Sequence, residues 1–168
     1  VTESANLKSL DFSMDDASDY IKWITRGFNE GGMTAYMVHL LFDKHTYATP
    51  EEGDKEGSSG LVVWDDLENI IIPKRYYAFK HFSNLSVKGY IRISHKHFQS
   101  DLFVSTFLHP VENELVIHVF NSGTDSIPMA VEIAYNTSNI FRYTTDNNTL
   151  DFYKSEVDFI DDYRFIET

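Results

Sequence analysis

The chain contains no cysteine, so its reactive side chains are carboxylates, histidines and hydroxyls. Cysteine nucleophiles, disulfides and zinc thiolate sites are therefore excluded. His95 and His97 are two residues apart and would share one face of a strand, as a metal-binding pair does. No third ligand accompanies them, so we expect no metal. Ser83 and Ser94 lack the Gly-x-Ser-x-Gly turn that exposes a serine nucleophile.

Acidic residues dominate the charge. The 168 residues include 26 Asp and Glu against 14 Lys and Arg, a net charge of −12. Nucleic-acid phosphates repel such a chain, so we exclude non-specific DNA or RNA binding as its main role. The acidic stretch 51–56 lacks EF-hand spacing and is predicted to be solvated. No apolar run approaches the ~20 residues that span a membrane. Aromatic residues make up 15% of the chain, which favours strands and sugar-contacting or apolar surfaces.

The elements that must position these side chains follow a helical and α/β pattern up to about residue 86. Ser13 and Asp16 form a capping pair before a helix whose apolar face is Ala17, Tyr20, Ile21, Ile24 and Phe28. Gly31 and Gly32 end that helix. Residues 33–42 are apolar on both faces, which predicts a buried parallel strand. A loop over 43–59, a short strand over 61–64 and a helix starting at Pro73 follow, with Tyr76, Tyr77 and Phe79 packed into the core.

From about residue 87 the apolar pattern changes to period two. Strand-length runs at 90–93, 102–108, 115–120, 127–135, 140–144, 150–157 and 163–166 are separated by turn clusters. Short strands at this spacing predict an antiparallel β-sandwich. We place the domain boundary near 84–88, which gives domains 1–86 and 87–168.

The order of elements predicts an α/β part plus an all-β part. Two parallel strands cannot form a stable sheet alone, so the first part is interpreted as the C-terminal fragment of a (β/α)8 barrel, followed by an antiparallel β-sandwich. In such barrels the chemistry lies at the C-terminal ends of strands. Two places fit, Val1-Thr2-Glu3 and the end of the 33–42 strand. Val1 is not an initiator methionine, so we expect a longer protein, with an N-terminal remainder of the barrel as partner.

Several segments together resemble glycoside hydrolase family 30. They are Thr2-Glu3, Asn29-Glu30-Gly31-Gly32, Thr34-Ala35-Tyr36, the helix PKRYYAFKHFS at 73–83, GYIRI at 89–93 and LVIHVFN at 115–121. The similarity runs through about Tyr135, and its most specific part is the stretch from Tyr76 to Arg92. Residues 61–64 and 74–77 look closer to the endo-xylanase and endo-1,6-galactanase branches of the family than to its glucosylceramidases.

The resemblance implies that Glu3 is the catalytic nucleophile of a retaining glycosidase. Such enzymes use two carboxyl groups ~5 Å apart, one attacking the anomeric carbon and one protonating the leaving oxygen. The family carries the acid/base in an Asn-Glu-Pro type motif on an earlier strand, and this sequence has none. Without the resemblance, Glu3 would be a solvated residue near a chain terminus. We therefore expect the 168-residue chain alone not to hydrolyse glycosides.

The resemblance also implies substrate contacts from Tyr36 and His39. Related sequences usually carry Trp in this strand, whereas here Met37-Val38-His39-Leu40-Leu41-Phe42 follows Tyr36. His39 could replace that Trp as a flat hydrogen-bonding platform for the sugar. Alternatively, it is a buried histidine satisfied by a backbone carbonyl.

The functional prediction is a retaining glycosidase that acts on a carbohydrate substrate, a β-linked polysaccharide or glycoconjugate, without a cofactor. A secreted or extracellular location is expected, and sequons at Asn84, Asn136 and Asn147 weakly favour it. The alternatives are a non-catalytic carbohydrate-binding module and an inactive descendant with a structural role.

Overall fold

A computed structural model describes residues 11–39, 41–44, 60–64, 69–97, 99–133, 139–157 and 164–167. This part of the chain forms two helices and ten strands. The first half consists, in chain order, of α1 (Met14–Asn29), β1 (Phe42–Lys44), β2 (Val62–Trp64), β3 (Ile70–Ile71) and α2 (Lys74–Leu85). The second half consists of the strands β4 (Ile91–Ile93), β5 (Leu102–His109), β6 (Glu114–Asn121), β7 (Met129–Glu132), β8 (Phe141–Thr144), β9 (Tyr153–Glu156) and β10 (Arg164–Glu167). The protein is thus an α/β fold with few helices and mostly antiparallel pairing.

Helix α1 begins where its sequence predicts. The Ser13 hydroxyl accepts the backbone N–H of Asp15 at 3.1 Å, which satisfies one of the free donors of the first turn. Of the predicted apolar face, Ala17, Tyr20 and Ile24 are fully buried. Asp16, predicted to pair with Ser13 in the cap, is buried and forms an ion pair with α2 instead.

Helix α2 begins directly after Pro73, as predicted, because proline is preset for the start of a helix and its missing N–H is not needed there. Its buried residues are Arg75, Ala78 and Phe82. The predicted core residues Tyr76, Tyr77 and Phe79 are only half-buried, so that prediction is right in part. In the described chain, no helix is long and apolar enough to cross a membrane.

A small sheet of order β1-β2-β3 lies between the helices in sequence. Strand β1 pairs parallel with β2, and β3 pairs antiparallel with β2. The strand predicted at 61–64 and the parallel pairing are confirmed. The strand predicted over 33–42 is wrong in its bounds: the described residues of that run show an isolated bridge at Val38 and the first residue of β1, Phe42, and β1 continues into the segment predicted as a loop. Its burial is wrong too, since Met37 and Leu41 are 52% and 56% exposed. An apolar run becomes a strand only where a neighbour supplies hydrogen bonds, and β2 offers three residues.

The second part of the chain is built from antiparallel strands, as its period-two pattern predicts. Strands β4-β5-β6 form one sheet, and β7 with β10 and β8 with β9 form two strand pairs. Strands β7 and β9 are shorter than the predicted 127–135 and 150–157. His95 and His97 follow β4 and belong to no strand, so the shared strand face considered for this pair does not form.

Both helices pack on the sheet of β4, β5 and β6. The rings of Phe28 on α1 and Phe107 on β5 meet edge to face, with centroids 5.3 Å apart. The Asn29 side chain donates a hydrogen bond to the Val104 carbonyl at 2.6 Å. On α2, Phe82 stacks on His118 of β6 at 4.3 Å. These contacts join the helical and the β parts directly.

Candidate functional site

The predicted site residues fall in two places. Glu3 lies outside the described residues, so its role stays a prediction. Tyr36 and His39 lie together between α1 and β1, Tyr36 half-buried and His39 exposed. The interpretation of His39 as a buried histidine is therefore wrong. Its role as a sugar platform stays a prediction.

Directly after these residues, the β1-β2-β3 sheet presents an apolar face. Phe42 pairs with Val62 and Trp64 pairs with Ile70, so the four side chains lie on one side of the sheet. They border a hollow of about 330 Å³. Phe42, Trp64 and Ile70 are 56%, 37% and 70% exposed, whereas Val62 between them is 7% exposed and Val63 on the opposite side is fully buried. Exposed rings beside a hollow suit contact with another apolar surface or with the flat face of a sugar ring.

The residue that fixes this sheet against the helices is Arg75. Its Nε donates to the Gly60 carbonyl at 2.8 Å, and its Nη1 lies 3.2 Å from Asp16 Oδ2. Gly60 in turn abuts β1, because a Cβ added there would lie 2.6 Å from Asp43 Cβ. Sequence reasoning missed this connection. The sequence did contain a sign of this ion pair: Asp16 lies four and eight residues before Tyr20 and Ile24, and this spacing places its carboxylate on the inward face of α1.

Two histidines lie in the junction between α2 and the strands. His81 Nε2 is 2.9 Å from Thr145 Oγ1, and His118 Nε2 is 2.5 Å from Ser86 Oγ. Both histidines line a cavity of about 790 Å³ between the helices, β6 and β8. Burial, with Lys80 nearby, lowers the pKa of His81 to about 4. Burial, with His81 nearby, lowers the pKa of His118 to about 3.

Both lowered pKa values keep the pair neutral near pH 7, which disfavours a role in proton transfer. A general base works best with a pKa near the working pH, which neither imidazole has. The contact of Ser86 with His118 has the composition of a nucleophile and a base. However, the residue facing His118 across the sheet is Ser105, not an orienting carboxylate.

A metal centre finds no support in the described chain, where no three His, Asp or Glu side chains come together. The rings of His95 and His97 stack with centroids 5.4 Å apart. Burial and the neighbouring His97 lower the pKa of His95. The sequence disfavoured a metal at this histidine pair, and the shared strand face that would have supported one is not formed, since both residues follow β4.

Comparison with known proteins gives matches among solved structures. No family model matches the chain, and no curated protein matches it. A glycoside hydrolase family 30 subfamily 8 xylanase, Xyn30A from Clostridium acetobutylicum, superposes on 99% of this chain with a TM-score of 0.71 and 21% identity. The chain has the fold of part of a family 30 glycoside hydrolase.

A second structure agrees. The catalytic domain of the GH30 xylanase C from Talaromyces cellulolyticus matches 98% of this chain with a TM-score of 0.73 and 15% identity. The chain spans 38% and 36% of the length of these two structures. Because the match covers nearly all of this chain, the helices and the later strands both take part in the family 30 fold. The resemblance predicted from the sequence motifs is thus confirmed, and at these identities it establishes the fold.

Proposed function

We propose that the chain supplies the C-terminal part of a retaining glycosidase that acts on a β-linked polysaccharide. Residues 1–86 then contribute the last β/α units of a (β/α)8 barrel, and residues 87–168 a β-sandwich attached to it. The observation that carries the proposal is the match of 98–99% of this chain to two xylanases at TM-scores of 0.71 and 0.73. The sequence resemblance supports it independently, through the motifs around Glu3 and along α2.

The small sheet supports the barrel part of this proposal. Its β1 and β2 strands are parallel, and Val63 is buried on one side while the exposed Phe42, Trp64 and Ile70 lie on the other. Parallel sheets in proteins are usually covered on both faces. The N-terminal remainder of the barrel is the partner that would cover the open side.

In the proposed mechanism the Glu3 carboxylate attacks the anomeric carbon and the glycosidic oxygen leaves with its electron pair. Water then attacks the same carbon and releases the carboxylate, which gives retention. Protonation of the leaving oxygen needs an acid, and the family's Asn-Glu-Pro motif is absent from this sequence. Tyr36 and His39 are the proposed sugar contacts beside the nucleophile. By analogy with such enzymes, we place the protein outside the cell.

The test uses a substrate that needs no acid. A 2,4-dinitrophenyl β-xylobioside has a leaving group that departs without protonation, and azide replaces water as the second nucleophile. Without azide we expect the 168-residue chain to release at most one equivalent of dinitrophenolate and to hydrolyse nothing further, because no base activates water. With azide, which needs no base, we expect repeated release of dinitrophenolate and formation of the β-xylobiosyl azide. Xylan, whose leaving groups require protonation, stays uncut.

The matched control is Glu3→Gln, which keeps the size and removes the attacking carboxylate. Dinitrophenolate release that is equal in both proteins, or an α-configured azide, would refute the proposed role of Glu3. If the isolated chain instead turns over xylan and Glu3→Gln abolishes that turnover, the claim that the chain lacks an acid/base residue is refuted.

The second candidate is a carbohydrate-binding module without catalysis. The observations that favour it are the missing acid/base motif and His39 in place of the usual Trp. It predicts that oligosaccharide binding survives while the azide reaction is absent, so the same experiment separates the two functions.

A further inference from the structure

A strip of alternating aromatic rings and lysines runs from α2 to the β8–β9 hairpin. We call Tyr76, Lys80, Phe152, Tyr143, Lys154 and Phe141 the aromatic–lysine strip. Lys80 Nζ lies 6.0 Å from the Tyr76 ring and 4.6 Å from the Phe152 ring. The Phe152 and Tyr143 rings are 4.8 Å apart, and Lys154 Nζ lies 5.7 Å from Tyr143 and 3.8 Å from Phe141.

The pairing of the hairpin explains why these side chains share a face. Tyr143 pairs with Lys154, and Phe141 pairs with Glu156, so all four project to the same side. Tyr153 pairs with Thr144 and projects to the other side. Phe141 is 47% exposed, and Tyr143 and Phe152 are half-buried, so the rings remain accessible along one edge.

The backbone of Phe152, one of the rings in the strip, has a strained conformation. Phe152 has a φ of +57°, a left-handed conformation that bulky residues adopt only when their surroundings enforce it. Its N–H donates to Thr145 Oγ1 at 3.0 Å, and its ring packs between His81 and Tyr143. Strain of this kind concentrates at binding and catalytic sites.

We propose that the aromatic–lysine strip binds an uncharged stretch of the polysaccharide, away from the bond that is cut. This inference rests on the proposed function and names a second contact surface for the same substrate. The rings offer flat apolar surfaces to the faces of pyranose units, and the ammonium groups of Lys80 and Lys154 and the Glu156 carboxylate hydrogen-bond to hydroxyls. Without sugar the lysines cover the rings, and such exposed contacts are weak, so sugar displaces them at small cost.

The test is an NMR titration of the full chain with xylohexaose, a neutral oligomer. We expect amide shifts across the β8–β9 hairpin and a dissociation constant that Phe141→Ala raises about fivefold and Phe141→Trp preserves. The matched control is Tyr153→Ala, which removes an aromatic of the same hairpin that is 58% exposed on its other face and leaves the constant unchanged. We also expect 0.5 M salt to leave the affinity intact, because the contact is not ionic.

Equal weakening by Tyr153→Ala and Phe141→Ala, no shifts in the hairpin, or loss of binding in salt would each overturn the proposal. Its failure is distinguishable from that of the proposed function. Hairpin binding without azide-dependent release by Glu3 refutes the glycosidase and keeps the strip, and the reverse pattern refutes only the strip.

Discussion

Arg75 and Asp16 form an ion pair in the interior, with Nη1 and Oδ2 3.2 Å apart and side chains only 1% and 5% exposed. The same guanidinium donates to the Gly60 carbonyl, so one side chain joins α1, α2 and Gly60, which lies two residues before β2. A guanidinium suits this place because its donors form a rigid fork that serves the Asp16 carboxylate and the Gly60 carbonyl at once.

Removing the arginine alone should therefore cost far more than an exposed pair is worth. Arg75→Met is expected to lower the free energy of unfolding by about 3–5 kcal/mol, because the buried Asp16 carboxyl group loses its ion-pair partner. Urea unfolding at neutral pH measures it. The control is the neighbouring Lys74→Met, which breaks the more exposed pair with Asp151 and should cost less than ~1 kcal/mol.

The double variant Asp16→Leu, Arg75→Met tests whether charge is the cause. With both charges removed, we expect the double variant to recover most of the free energy of unfolding that Arg75→Met loses, since apolar pairs of similar volume replace buried ion pairs well. A double variant as unstable as Arg75→Met would show that the bond to Gly60, rather than the uncompensated carboxylate, sets the cost.

The buried histidines should make the protein sensitive to acid. The folded-state pKa values of His81 and His118 are lowered to about 4 and about 3. At pH values below the ordinary histidine pKa of about 6.5, these two histidines bind protons in the unfolded chain but stay unprotonated in the folded protein. Stability is therefore fully present above pH 6.5 and falls as the pH is lowered toward the folded values. Each histidine should account for about 1–2 kcal/mol between pH 7 and pH 5.

Urea midpoints at pH 7, 6 and 5 measure this slope. His118→Gln and His81→Gln remove one titrating group each, so both variants should show a shallower slope than the parent. His109→Gln is the control, because that half-buried histidine lies at the end of β5, away from the α2 junction. An unchanged slope in the first two variants would contradict the assignment.

The sequence predicted local structure well where local signals decide it. The cap at Ser13 and the proline before α2 fix the helix starts, and eight-residue strands β5 and β6 follow from alternation. It failed over residues 33–42, because an apolar run says nothing about whether a neighbouring strand is there to pair with it. Burial of that run was inferred from composition alone, and Met37 is mostly exposed.

The site was less predictable, since its contacts join residues far apart in sequence. The pairing of Asp16 with Arg75 and the packing of His81 against Phe152 depend on how α2 lies on other elements. The aromatic–lysine strip draws residues from a helix and a hairpin about 70 positions apart, and no spacing rule connects them. Only the family resemblance indicated Glu3, which spacing alone does not distinguish from a terminal carboxylate.

Gly89 should resist substitution for two separate reasons. Its φ is +111°, and a Cβ added there would lie 2.7 Å from His109 Nε2. Gly89→Ala is expected to destabilise the protein by about 1–3 kcal/mol. Adding His109→Ala relieves only the contact, so part of the loss should remain. Gly123→Ala, whose nearest neighbour is an Asn121 oxygen at 3.3 Å, is the control and should cost less. If both alanine substitutions lower the stability equally, the left-handed backbone conformation of Gly89 is contradicted.

The strain at Phe152 can be measured apart from its ring. Phe152→Ala and Phe152→Gly both delete the contacts with Tyr143, His81 and Lys80, but only glycine accepts a φ of +57° without penalty. We therefore expect the Phe152→Gly protein to unfold at a higher urea concentration than the Phe152→Ala protein. Its free energy of unfolding should be greater by about 1 kcal/mol. At Tyr153, the extended neighbour in β9, glycine should instead be worse than alanine, because glycine loses more conformational freedom on folding. If alanine is the better residue at both positions, Phe152 is not held in the left-handed conformation, and the strain argument for the strip fails with it.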